Sequence, residues 1–139
     1  MMHTKRYRSL AVVALVIAAL TTSSLALAAS SVTRTSSGLT GTYSTTLKSP
    51  AELKGRWLLT LARGGSYTVQ LNGQLVARGK HTSTAKTITL DREQGSQCTS
   101  AGTYAWKKSG KTLSFTKKRE SASCHARAVV LAHRFTQVR

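Results

Sequence analysis

Catalysis needs a nucleophile, a base and an orienting group within reach of one another, and this chain offers few candidates for any of them. Beyond residue 28 its histidines are His81, His125 and His133. No spacing among them puts two ligands on one helical face, and no acid lies beside them in sequence. Only four acids occur, Glu52, Asp91, Glu93 and Glu120. Asp91 and Glu93 share a face if their strand continues, and flanking Arg92 makes a loop salt bridge the expected arrangement rather than a cation site. Ala105 to Thr112 fits a loose phosphate-loop pattern with Ala in place of the first Gly. Such a loop needs a helix after it, so that helix N-terminal amides face the phosphates. Here Leu113 and Phe115 alternate as in a strand. Two Ser-x-x-Lys matches, at Ser83 and Ser114, lack the companion motifs of penicillin-recognising enzymes. No enzyme and no cofactor are expected.

Two cysteines remain, Cys98 and Cys124, and they organise the chain. Between them Gly102 to Lys107 alternates small or polar residues with aromatics, Ser109-Gly110 follows, and Thr112 to Lys117 alternates again. Period-2 runs about a Gly-containing turn predict a β-hairpin. Tyr104, Trp106, Leu113 and Phe115 then share one apolar face. Pairing Lys108 with Lys111 carries the register down to Cys98 opposite Ser121, so a Cys98–Cys124 bridge would close the open end. By loop-closure entropy it would contribute on the order of 3–4 kcal/mol.

The charge is strongly positive, formally +17, which attracts anionic surfaces. Lys107, Lys108 and Lys111 at the hairpin tip and Lys117, Lys118 and Arg119 are the densest clusters. They dock on anionic cell-surface polymer or phospholipid, or they are a solvated surface with gatekeeper lysines on strands. Nucleic-acid binding wants aromatics interleaved with bases on one face; Trp106 points opposite to Lys107, so nucleic acid is not an expected partner.

The first 28 residues read as a signal peptide. Lys5, Arg6 and Arg8 form a basic n-region, Leu10 to Leu20 an apolar h-region, and Ala26-Leu27-Ala28 a small-x-small cleavage site. The alternative is an uncleaved membrane anchor. The chain is thus expected to be secreted, which favours pairing of its cysteines. Residues 29–40 read as a flexible Ser- and Thr-rich segment and 41–139 as one domain.

Within that domain, Gly41 to Leu47 alternates as a first strand. Pro50 to Leu53, with its first-turn acid, favours a single helical turn. Gly55 to Leu61 puts Trp57, Leu59 and Leu61 on one face, and Tyr67, Val69 and Leu71 repeat the alternation. Asn72-Gly73 is a strong two-residue hairpin signal. Gln74 to Lys80 and Lys86 to Asp91 are further strands. Ser121 to Leu131 suits a short helix, although Val129-Val130 suits a strand as well. His133 to Val138 closes the count at about eight strands. A sequential eight-strand meander predicts an all-β, up-and-down antiparallel barrel with a short helical turn near residues 122–131. Its interior, nearly filled by side chains, leaves room for at most one small ligand. Trp57, Leu59, Leu61, Tyr67, Val69, Tyr104, Trp106 and Phe115 either line such a pocket or fill the core.

Ser49 to Trp57, a short turn running into Gly-x-Trp at a strand start, resembles the signature of lipocalins and their calycin relatives. The Gly-Thr-Tyr-x-Trp and Cys-x-x-Arg segments are similar to those of small secreted lipocalin-like bacterial proteins. The resemblance covers residues 41–138, and the chain is well short of a full lipocalin. It implies a barrel whose Trp57 sits at a closed end under a late basic residue, Arg127 or Arg134, by cation–π stacking. It also implies binding of a small apolar or amphipathic ligand; separately, the chain is expected to be a monomer. The same pattern resembles small periplasmic metalloprotease inhibitors, which implies a plugging role for residues 29–39.

Overall fold

The computed structural model describes residues 39–138, so the expected signal peptide and cleavage site, and residues 29–38, lie outside the described residues. Eight strands run in chain order: β1 Gly41–Leu47, β2 Gly55–Leu61, β3 Ser66–Leu71, β4 Gln74–Ser83, β5 Thr87–Gln94, β6 Gly102–Ser109, β7 Thr112–Arg119 and β8 Phe135–Gln137. Each pairs antiparallel with the next, and β8 pairs with β1, so the sheet is a closed barrel. Closure removes the free edges that an open meander of this composition would expose.

Alternation sets what points inward. Tyr43 and Leu47 of β1, Trp57, Leu59 and Leu61 of β2, Tyr67 of β3, Ile88 and Leu90 of β5, Tyr104 of β6 and Leu113 and Phe115 of β7 are all buried. Phe115 stands edge-on to Tyr104 and Phe135, with ring centroids 6.4 and 5.9 Å apart. The Asn72-Gly73 turn has both central residues at positive φ, 52° and 85°, as a type I′ hairpin demands. The β6–β7 turn differs from the expected register. Ser109 pairs with Thr112, which makes Gly110-Lys111 the two-residue turn. Glycine at its first central position, φ 56°, is where a type II′ turn requires it. The pairing moves by one residue on each strand, so Trp106 lies opposite Phe115 rather than Leu113.

The two ends are closed differently. At one, a 3₁₀ turn Ala51–Leu53 is held by the Trp57 indole, which donates to the Leu53 carbonyl at 2.8 Å. The same end carries a 3₁₀ turn Ala122–Cys124 running into helix α1, His125–Leu131. Arg127, Val130 and Leu131 are its buried residues, the i, i+3, i+4 stripe of an amphipathic helix. Ala122 to Leu131 is thus helical, with Ser121 as its extended cap. Strand β8 is only three residues long, and α1 packs against β7. At the other end the Trp106 indole donates to Thr84 of the β4–β5 turn at 3.1 Å. The expected flexible segment 29–40 ends in ordered structure. Leu39 is 1% exposed within the core, and Thr40 accepts a hydrogen bond from the Tyr43 hydroxyl. A large apolar side chain this close to the barrel gains by entering it.

Candidate functional site: an apolar cavity under the helix

The interior is not completely filled. A cavity of about 230 Å³ lies between the β2–β5 wall and α1. The strands contribute Trp57, Leu59, Tyr67, Val69, Ala77 and Leu90, and the helix contributes Ala126, Arg127, Val130 and Leu131. Ala126 of α1 and Gly95 and Ser96 after β5 line it while remaining exposed, so its mouth lies between helix and loop. Of the eight aromatic and aliphatic residues singled out from sequence, Trp57, Leu59, Tyr67 and Val69 line this space. Leu61, Tyr104 and Phe115 are buried elsewhere in the core, and Trp106 packs against it half-buried. The interior is therefore part core and part cavity.

One wall of the cavity is charged. Asp91 and Glu93 do not share a face, because Arg92 between them adopts a left-handed backbone, φ 52°. The β4–β5 register shifts there: Lys80 pairs with Asp91 but Arg78 with Gln94. A bulge of this kind reverses which side the next residue faces. Glu93 consequently points inward and is buried, while Asp91 accepts from the Arg92 backbone N–H at 2.7 Å. The expected loop salt bridge gives way to an internal network.

Arg127 is the centre of that network. Its Nε and Nη2 donate to the two carboxylate oxygens of Glu120 at 2.9 and 2.7 Å, a bidentate fork. Nη2 also reaches the Ser100 carbonyl at 2.7 Å, and Nη1 meets Glu93 Oε2 at 3.2 Å. Tyr67 donates its hydroxyl to Glu93 Oε2 at 2.6 Å, and Ser96 donates to Glu93 Oε1. Tyr104 donates to Glu120. Burial, then the hydrogen bond and charge of Glu93, push the Tyr67 phenol well above its ordinary value of 10.0. Burial and Glu120 do the same to Tyr104. Burial alone would raise Glu120, but the hydrogen bonds of Arg127 and Tyr104 and the charge of Arg127 hold it below its ordinary 4.5. Burial would lower Arg127, and Glu120 outweighs it in the opposite direction. Both tyrosines thus stay neutral donors and the arginine stays charged.

Arg127 was expected to stack on Trp57; it is an ion-pair centre instead, because two buried carboxylates outcompete a ring face for a guanidinium. Arg134 is exposed. Among the described residues the cation over an aromatic ring is Lys108, 5.7 Å from the Tyr43 centroid. The Cys98–Cys124 disulfide forms, with Cα atoms 4.7 Å apart, and ties the loop after β5 to the start of α1. Glu120 lies near both sulfurs, but their bond to each other leaves no thiolate for a metal.

The three histidines stay apart. His81 is buried, with Nε2 donating to the Ala62 carbonyl at 3.0 Å, and its Nδ1 has no partner. His133 Nδ1 meets the Val129 carbonyl, and His125 is exposed. Lys107, Lys108, Lys111, Lys117, Lys118 and Arg119 are all exposed. The first three lie at the β6–β7 turn and the last three at the helical end of β7. Among the described residues no helix is long and apolar enough to cross a membrane. Compared with known protein families, curated proteins and solved structures, the chain matches none.

Proposed function

We propose that this is a non-catalytic, exported binding protein whose barrel holds one small apolar or amphipathic molecule beneath α1. The observation that carries the reading is the cavity of about 230 Å³, walled largely by hydrocarbon with Glu93 and Arg127 on one side, and open to solvent beside Ala126. At about 30 Å³ per water, that space equals roughly eight waters, so the guest is small. Burying apolar surface of both guest and wall supplies the affinity. The disulfide supports export, since such bonds persist in oxidising compartments. The architecture and the Gly-x-Trp entry to β2 support a lipocalin-like ancestry.

Titration with 1-octanol, followed by calorimetry and by Trp57 emission, tests the proposal. Saturable one-to-one binding is expected in the parent. Ala77→Leu, which places extra methyl groups in the cavity, should abolish it with the fold intact by circular dichroism. Absence of binding by the parent, or undiminished binding by the variant, would overturn the assignment.

A second reading, docking on anionic cell-surface polymer or phospholipid, is favoured by where the acids sit. Glu93 and Glu120 are internal, which leaves Glu52 and Asp91 as the acids outside the ion network. A wider depression of about 750 Å³ between the β2–β3 turn and strands β4 and β5 sets Arg63, Lys80 and Arg92 against Asp91 alone. The two roles are compatible on one molecule.

A further inference from the structure

The cavity wall is not electrically neutral, and that bears on which guest it admits. Arg127 and Glu120 form a bidentate pair that balances itself. Glu93 is left over. It shares a single 3.2 Å contact with Arg127, and its other partners are the neutral hydroxyls of Tyr67 and Ser96. All three partners are donors, so Glu93 serves as an acceptor throughout. Of the roughly four lone-pair directions of a carboxylate, three are filled: two on Oε2 and one on Oε1. Oε1 keeps one acceptor direction, and Glu93 is among the residues lining the cavity. The network thus holds two carboxylates against one guanidinium, in a setting where the side chains of Glu93 and Arg127 are only 5% and 6% exposed.

The geometry points to a guest of one charge class: a small hydrophobic amine, its ammonium donating to Glu93 Oε1 and its hydrocarbon lying against Val69, Leu90 and Val130. This inference rests on the cavity being the ligand site. An ammonium neutralises the surplus charge and fills the vacant acceptor direction. An alcohol fills the direction without the charge. A carboxylate brings a further negative charge to a site of low dielectric and meets only one cation, already committed to Glu120. Fatty acids are therefore excluded by the same residue that admits amines. The outer surface works in the opposite sense, because its excess of lysine and arginine attracts anions. A preference for amine over carboxylate could not arise from that surface.

Octylamine, 1-octanol and octanoate share one chain length and differ in the head group. Calorimetric titration of the full chain at about 0.15 M salt, where exposed charges are screened beyond roughly 8 Å, separates them. Octylamine should bind roughly ten- to a hundredfold more tightly than octanol, the worth of a charge-assisted hydrogen bond, with octanoate weakest. In Glu93→Gln, which keeps the shape and one acceptor oxygen, octylamine should fall to the level of octanol. Octanoate binding as tightly as octylamine would overturn the inference while leaving the cavity assignment standing, and so would octanol binding without octylamine. Failure of all three to bind would overturn both. If Glu93→Gln does not fold, the order of the three ligands on the parent decides by itself.

Discussion

Arg127 shows how much one side chain can be asked to hold. It bridges carboxylates from the end of β5 and from beyond β7, and its own place on α1 decides where the helix sits. Removing it as Arg127→Met leaves Glu93 and Glu120 buried without a cation, which should cost about 3–5 kcal/mol in urea unfolding. Replacing all three charges together, as Arg127→Met with Glu93→Gln and Glu120→Gln, should cost less than the single change, because no lone ion remains. Gly102 belongs to the same site: a Cβ there would lie 2.7 Å from Arg127 Nη2 and closer still to Glu120. Titration gives a second check. Tyr67 and Tyr104 have raised values, so the unfolded chain loses those protons first; their contribution is intact below pH 10 and declines above it. Phenolate absorbance should show these two tyrosines ionising only as the barrel unfolds. Glu120 is lowered, so its contribution is present above about pH 4.5 and is lost as the pH falls further.

At the scale of elements, the strands were legible because each half-buried strand writes its own alternation. Gly41 to Leu47 and Gly55 to Leu61 coincide with β1 and β2, and Asn72-Gly73 is a turn because only αL-tolerant residues fit it. The bulge at Arg92 was not legible. Arginine in a left-handed backbone leaves no mark in composition, so the inward turn of Glu93 was hidden, and with it the partner of Arg127. Cys124-x-x-Arg127 was visible as a spacing, yet whether its arginine meets a ring or a carboxylate depends on that bulge. The pair Val129-Val130, the second of which lines the cavity, was ambiguous between helix and strand, because β-branched residues favour strands unless packing decides otherwise. The disulfide joins two of these elements, the loop after β5 and the start of α1. Cys98→Ser with Cys124→Ser should cost about 2–5 kcal/mol. Hydrogen exchange should rise first in residues 95–101 and in α1, ahead of the barrel strands. Uniform loss of protection would mean that the bridge does not hold that end separately.

At the scale of the molecule, a basic exterior encloses an interior that carries an excess of carboxylate. Burying Glu93 and Glu120 removes half of the chain's four acids from the surface, so the exterior is more cationic than composition alone conveys. Binding to vesicles containing anionic phospholipid should accordingly weaken steeply as salt rises from low to about 0.15 M, whereas occupancy of the cavity should not. Salt-independent vesicle binding would argue against charge as its cause. The central claim is that a small apolar guest enters beneath α1, and nuclear Overhauser contacts between bound 1-octanol and protein methyls test it most directly. We expect contacts from the octyl chain to Val69, Leu90 and Val130 together, residues of two strands and the helix that all line the cavity. Contacts confined to exposed side chains such as Leu75 and Val138 would contradict it.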